Sequence, residues 1–195
     1  MGQEVHRERH ARPTGRSHVL GRCLLPRLRE LRARTGRAVS LVGWSLGGIL
    51  ARELAKRAPH DVRLVITLGS PFAGGGRASN VARLFEAVGG RRIVDDPLVR
   101  RRIREAPPVP LTSIYSRTDG VVAWRACLEQ EGPTAENIEV RGSHCGLGHN
   151  PLALWAVADR LAQPEGGWSR FTPARALQLL LPAAQRRTPA DSSTN

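Results

Sequence analysis

Residues 38–48 read Ala-Val-Ser-Leu-Val-Gly-Trp-Ser-Leu-Gly-Gly. The first part, Ala38 to Gly43, is a short and nearly continuous apolar run, the pattern of a parallel strand buried on both faces. From about Leu46 to Arg57 the pattern turns helical: Ile49, Leu50, Leu54 and Ala55 can face a sheet, and Pro59 stops the run. Gly43-Trp44-Ser45-Leu46-Gly47 therefore falls on a strand-to-helix turn. A serine on so tight a turn needs small residues two before and two after it, because the backbone is strained and neighbouring segments come close. Gly43 and Gly47 fill those places. The hydroxyl then lies near a helix N-terminus, whose free amides hold negative charge, so the Leu46 backbone N–H is a candidate oxyanion donor. G-x-S-x-G arises often by chance, and the flanking strand and helix give this one its weight.

Upstream, Leu24, Leu25, Leu28 and Leu31 fall at helical spacing, which predicts a helix from about Cys23 to Arg34 that ends near Gly36. Residues 1–22 read as a poorly structured, Arg-rich start. Downstream, Val62 to Leu68 (VRLVITL) predicts a second strand, ended by Gly69, Ser70 and Pro71. The stretch from there to the next apolar strand, Leu111 to Tyr115, is too long for a plain loop. Residues 72–110 thus read as a helical cap insertion. Val81, Leu84, Phe85 and Val88 give it one helix closed by Gly89-Gly90, and Pro97 opens a second through Arg104. A helix around Ala123 to Glu129, a fourth strand over Asn137 to Val140, and a helix capped by Asn150-Pro151 and running through Leu161 follow. The core spans 23–162, followed by an extension over 163–184 with a short helix and a disordered tail over 185–195. Alternating strands and helices predict an α/β fold with a mostly parallel sheet and flanking helices.

Composition narrows the function. Apolar residues make up 41% and charged residues 24%, and no apolar run is long enough to span a membrane, so an integral membrane protein is excluded. Met1 to Arg22 has Arg and His where a signal peptide has an apolar stretch, which makes the cytoplasm the expected location. Cys23, Cys127 and Cys145 have no metal-site or disulfide-scaffold spacing, so a structural metal is not expected; chemistry at a serine calls for no metal or organic cofactor. Free thiols are expected at Cys127 and Cys145 rather than a bridge between them. The formal charge is +13, and every one of the 30 basic residues except Lys56 is arginine. An aromatic fraction of 4% leaves few stacking platforms, so nucleic acid is not the expected partner, although peripheral contact with anionic surfaces stays open. Arg100, Arg101, Arg102 and Arg104 read as a solvated helix face in preference to an anion site.

A serine needs a base, and the base an orienting carboxylate. Of six histidines, His6, His10 and His18 lie in the start, and His60 follows the Leu46–Arg57 helix on the side away from the serine. His144 follows the fourth strand in Arg141-Gly142-Ser143-His144-Cys145-Gly146, at a strand's carboxyl end, where parallel sheets build their sites. It is preferred to His149, which suits a loop or helix cap. Asp119, in Ser116-Arg117-Thr118-Asp119-Gly120, lies just beyond the third strand at the same end of the sheet. Its rivals are Asp95 and Asp96 in the cap and Glu139 inside a strand, and its own plainer reading is a turn residue before glycine.

Val42-Gly43-Trp44-Ser45-Leu46-Gly47-Gly48, Thr67-Leu68-Gly69-Ser70-Pro71-Phe72, Tyr115-Ser116-Arg117-Thr118-Asp119-Gly120 and Gly142-Ser143-His144 together resemble the lipase and esterase branch of the α/β-hydrolases, over about Leu24 to Leu161. The chain order serine, acid, histidine is that family's order. The resemblance implies Ser45 as nucleophile, Asp119 as acid, His144 as base and a serine-bound acyl intermediate split by water. It also implies a lid at the cap, an acyl ester or lipid as substrate, and Trp44, Leu46, Phe72, Leu84, Phe85, Val121 and Val122 as candidate substrate contacts. The sequence departs from the family ahead of Ser45. There the strand whose exit loop supplies a second oxyanion amide is not legible, and the chain reads as lacking the fold's N-terminal strands. Ala38 to Gly43 would then lie at a sheet edge, with poor solubility as the consequence. Two alternatives stay open: an acyltransferase with the same triad, and a non-catalytic remnant that binds an acyl ligand, a partner or nucleic acid.

Overall fold

The computed structural model describes residues 19–73 and 97–173. Val19–Leu24 forms a wide helical turn that runs into α1, Leu25–Thr35, so the helical winding begins before Cys23. Gly36 ends α1 in the left-handed conformation (φ 66°), and its N–H returns to the Arg32 carbonyl. β1 (Val39–Trp44), α2 (Leu46–Arg57), β2 (Val62–Leu68), α3 (Pro97–Arg104), β3 (Leu111–Tyr115), β4 (Ala135–Glu139) and α4 (Pro151–Ala162) follow in order. The four strands form one parallel sheet in the order β1-β2-β3-β4.

Both faces are covered, as the unbroken apolar strands require. On one face α1 and α2 bring Leu28, Ala51, Leu54 and Ala55 against Val65 and Leu111. On the other, Ala153 and Ala156 of α4 pack on Leu64, Ile66, Leu68, Ile114 and Ile138. Each fully buried isoleucine of this layer contributes about 1.5–3 kcal/mol. The cover stops short of β1, which is an edge among the described residues and leaves Val42 48% and Trp44 46% exposed. Asn150 caps α4, its side-chain oxygen accepting from the Leu152 and Ala153 amides.

Two elements differ from the sequence reading. The helix expected over Ala123 to Glu129 is one short 3₁₀ turn, Trp124–Cys127. Ser113 Oγ donates to the Cys127 carbonyl at 2.6 Å, and Asn137 holds both the amide and the carbonyl of Glu129, so groups needed to continue a helix are taken by side chains. The fourth strand starts at Ala135, opposite Leu111, and the Val140 N–H still donates to the Tyr115 carbonyl beyond its end. Of the extension, residues 163–173 are described and contain no helix. They are tied down by Arg160, which pairs with Glu136 at 2.8 Å and donates to the Ser169 carbonyl, and by the Phe171 N–H on Glu136. The cap helix around Val81 to Val88, Asp95, Asp96, the start before Val19 and the tail lie outside the described residues. Among the described residues, no helix is long and apolar enough to cross a membrane.

Candidate active site

The serine turn is strained as its sequence requires. Ser45 has φ 55° and ψ −122°, the one positive φ at a non-glycine residue among those described. Its N–H donates to the Leu68 carbonyl, so β2 holds the turn from one side. A Cβ at Gly43 would lie 2.5 Å from Gly47 and Gly48 backbone atoms, which explains the first glycine. The second expectation shifts by one position. A Cβ at Gly47 would meet nothing within 4 Å, whereas one at Gly48 would lie 2.0 Å from Ser70 Oγ. The crowded glycine is therefore Gly48, pressed against a serine whose hydroxyl is engaged with the Gly43 and Leu68 carbonyls.

Ser45, His144 and Asp119 come from three strand ends and meet in one chain of contacts. His144 Nε2 lies 3.0 Å from Ser45 Oγ, and His144 Nδ1 lies 2.7 Å from Asp119 Oδ2. Both the histidine and the aspartate side chains are buried. The second oxygen of Asp119 accepts from the Val121 and Val122 amides at 2.8 Å each, so the carboxylate is held at both ends. With Nδ1–H donating to the carboxylate, Nε2 is left as an acceptor facing the serine hydroxyl. Gly69, in the left-handed region at φ 54°, leaves room beneath this pair: a Cβ there would meet Asp119 Oδ2 and His144 Nδ1 at 3.2 Å and Leu147 at 2.8 Å.

The rival histidines stand apart from this arrangement: His60 is an exposed residue of a 3₁₀ turn beyond α2, and His149 is exposed at the end of the Cys145–His149 turn. Glu139 is occupied elsewhere, by Arg117 at 3.1 Å and the Tyr115 hydroxyl. Leu46 is the first residue of α2, in the first turn, where amides lack an intrahelical partner. Of the candidate substrate contacts, Trp44 is half exposed beside the serine, Val121 is exposed, and Val122 is buried with Tyr115 and Ala126. Phe72 is buried against Ile49 and Ile103, and Leu84 and Phe85 lie outside the described residues. A cavity of about 530 Å³ is lined by Phe72, Ala73 and Leu128 on its apolar side and by Arg101, Arg104 and Glu129 among its polar groups. Cys127 and Cys145 are both free, and burial, helped by the Asp119 charge, pushes the Cys127 thiol up to about 12.

Three features were missed from sequence. Arg52 is buried in α2, ion-paired with Glu129, with its guanidinium 3.8 Å from the Phe72 ring centroid. It also donates to the Arg104 and Glu105 carbonyls, tying the end of α3 to α2. Burial pulls its pKa below the usual arginine range against the opposing pull of Glu129. Gly69 is the second, legible only as a strand terminator. The third is the bond made by Trp44, expected as a substrate contact: its Nε1 donates to the His144 carbonyl at 3.2 Å.

A parallel α/β sheet with a serine, a histidine and an aspartate joined at the carboxyl ends of its strands defines the class of the molecule. The chain belongs to the alpha/beta hydrolase family, whose sequence profile matches residues 7–191. No curated protein matches the chain. Among solved structures, it is similar to lipase B of Aspergillus fumigatus, with a TM-score of 0.57 at 20% identity over 74% of this chain and 41% of that one. A lipase of Bacillus licheniformis aligns with a TM-score of 0.50 at 20% identity over 69% of each chain. At these identities the likeness is one of fold.

Proposed function

We propose that the protein is a serine hydrolase that cleaves a carboxylic ester through an acyl-enzyme. The observation that carries this reading is the unbroken line from Ser45 Oγ through the His144 imidazole to Asp119, with contacts of 3.0 and 2.7 Å. In this reading Ser45 Oγ attacks the ester carbonyl while His144 Nε2 takes its proton. Asp119 keeps the imidazole in the tautomer that leaves Nε2 free and stabilises the imidazolium that forms. The Leu46 N–H, at the positive end of α2, faces the developing oxyanion. His144 then returns the proton to the departing alcohol, and water attacks the acyl-serine with the same histidine as base. An acyltransferase differs only in this last acceptor.

The proposed acyl site is the apolar side of the 530 Å³ cavity at Phe72 and Ala73, which packs against Leu46 and Ile49 of the first turn of α2. A lid from the insertion between β2 and β3 remains part of the proposal, as do the substrate contacts at Leu84, Phe85, Val121 and Val122.

A fluorophosphonate probe tests the reading on the purified, folded chain. Wild type is expected to label at serine, Ser45→Ala to lose labelling completely, and His144→Ala and Asp119→Asn to label about 10⁴-fold more slowly. A folded wild type that stays unlabelled, or labelling that survives Ser45→Ala, overturns the proposal. A folded chain that stays unlabelled but retains DNA in a salt-dependent way, with Ser45→Ala retaining it equally, would favour a binding role instead.

A further inference from the structure

We infer that Trp44 is a positioning residue: its indole N–H holds the main chain of His144 so that the imidazole stays in register with Ser45. The inference rests on the proposed roles of Ser45 and His144. The loop that carries His144 is fastened at its two ends. Gly142 donates its N–H to Ser116 Oγ at 3.1 Å and accepts from Thr118 Oγ1 at 3.1 Å, and Asn150 Nδ2 donates to the Arg141 carbonyl at 2.6 Å. Between those points the His144 carbonyl takes a bond from within the loop, from the Leu147 N–H at 3.3 Å, and one from the sheet, from Trp44 Nε1 at 3.2 Å.

The geometry gives that second bond its meaning. Residues 44 and 45 are consecutive, and both reach His144: Trp44 donates its Nε1–H to the His144 backbone carbonyl, and Ser45 Oγ meets the His144 imidazole. Two links side by side close a ring that fixes the separation of Ser45 Oγ from Nε2. The indole also lies against the imidazole, with ring centroids 5.7 Å apart and planes tilted by 36°. Burial does not account for a tryptophan here, because the side chain is 46% exposed at the sheet edge. A histidine that must accept a proton from one atom and pass it to another loses rate steeply when displaced; about 1 Å of misplacement costs on the order of 100-fold.

The test separates the N–H from the ring and both from turnover. Trp44→Phe keeps the ring and removes the donor, while Trp44→Leu removes both. With a short ester, kcat is expected to fall about 10-fold in Trp44→Phe, the loss of one hydrogen bond, and about 100-fold in Trp44→Leu. KM should stay within about twofold, because the residue acts on the base and not on substrate. Independently of turnover, NMR of the His144 Nδ1 proton should show faster exchange with water in Trp44→Phe than in wild type, with Val42→Ala, a neighbour on β1 outside the site, unchanged. A kcat within twofold of wild type, a rise in KM alone, or equal Nδ1–H exchange would overturn the inference while the hydrolase reading stands. If wild type proves inert toward the fluorophosphonate, the hydrolase reading fails by itself, and the exchange comparison alone decides: faster exchange supports the clamp and equal exchange overturns it.

Discussion

An alanine Cβ at Gly48 would lie 2.0 Å from Ser70 Oγ and 2.8 Å from Ser70 Cβ, with the Gly43 carbonyl at 3.0 Å. Ser70 is fully buried and has no free direction in which to retreat. Gly48→Ala should therefore destabilise the fold by about 1–3 kcal/mol, the range of overpacked cores. One position earlier the sign reverses. A Cβ at Gly47 meets nothing within 4 Å, and Gly47 carries no positive φ, so alanine there relieves the entropy cost of a helical glycine. Gly47→Ala should stabilise by about 0.5–1 kcal/mol. Urea denaturation of the two variants against wild type checks both, and equal midpoints would refute the assignment of the close approach to Gly48. The pair also shows what a motif conceals: five positions written G-x-S-x-G suggest two equivalent glycines, but the crowded partner of Gly43 lies one residue past the motif's end.

Elements carry the next scale, and α2 joins most of them. Its Arg52, about two turns after Ser45, is paired with Glu129, donates to the carbonyls that end α3, and stacks on Phe72. Removing one partner of a buried pair leaves the other charge stranded, so Arg52→Ala should cost about 3–5 kcal/mol. The double change Arg52→Met with Glu129→Leu should recover most of that loss. Thermal melting of Arg52→Met alone against the double variant distinguishes a stranded charge from lost packing, since both keep the methionine and packing loss alone would leave the double variant no better than the single one. None of this was legible in sequence, where the Leu46–Arg57 helix was marked by Ile49, Leu50, Leu54 and Ala55 and nothing set Arg52 apart. The strands were legible for the opposite reason: Val62–Leu68 is buried on both faces and needs no pattern finer than a continuous apolar run. The positions of Ser45, Asp119 and His144 followed from strand ends, because a parallel sheet gathers its loops on one side. The helix over Ala123 to Glu129 did not form because Ser113 and Asn137 claim its backbone groups from other elements, and no local window contains those residues. The bond of Trp44 escaped for a similar reason: the residue was expected as a substrate contact, while its N–H reaches a residue 100 positions away.

At the scale of the whole molecule, charge and edge act against each other. The chain carries a formal +13, so copies repel one another in dilute salt. The β1 edge pulls the other way. Among the described residues β1 pairs as a strand only with β2, and Val42 and Trp44 stand half exposed on it, an apolar border of the kind from which strands of separate chains pair. Screening decides which effect wins, because the Debye length falls from about 10 Å at 0.1 M salt to about 3 Å at 1 M while short-range apolar contact is untouched. Light scattering of wild type should therefore rise with salt at fixed concentration. Val42→Lys puts a charge on the edge without entering the core, so it should suppress that rise while shifting stability by no more than about 0.5 kcal/mol. A Val42→Lys protein that scatters as wild type does, with its melting unchanged, would move the association away from β1. The exposed Leu154 and Leu161 of α4, seven residues apart on one helix face, would then be the surface to charge next.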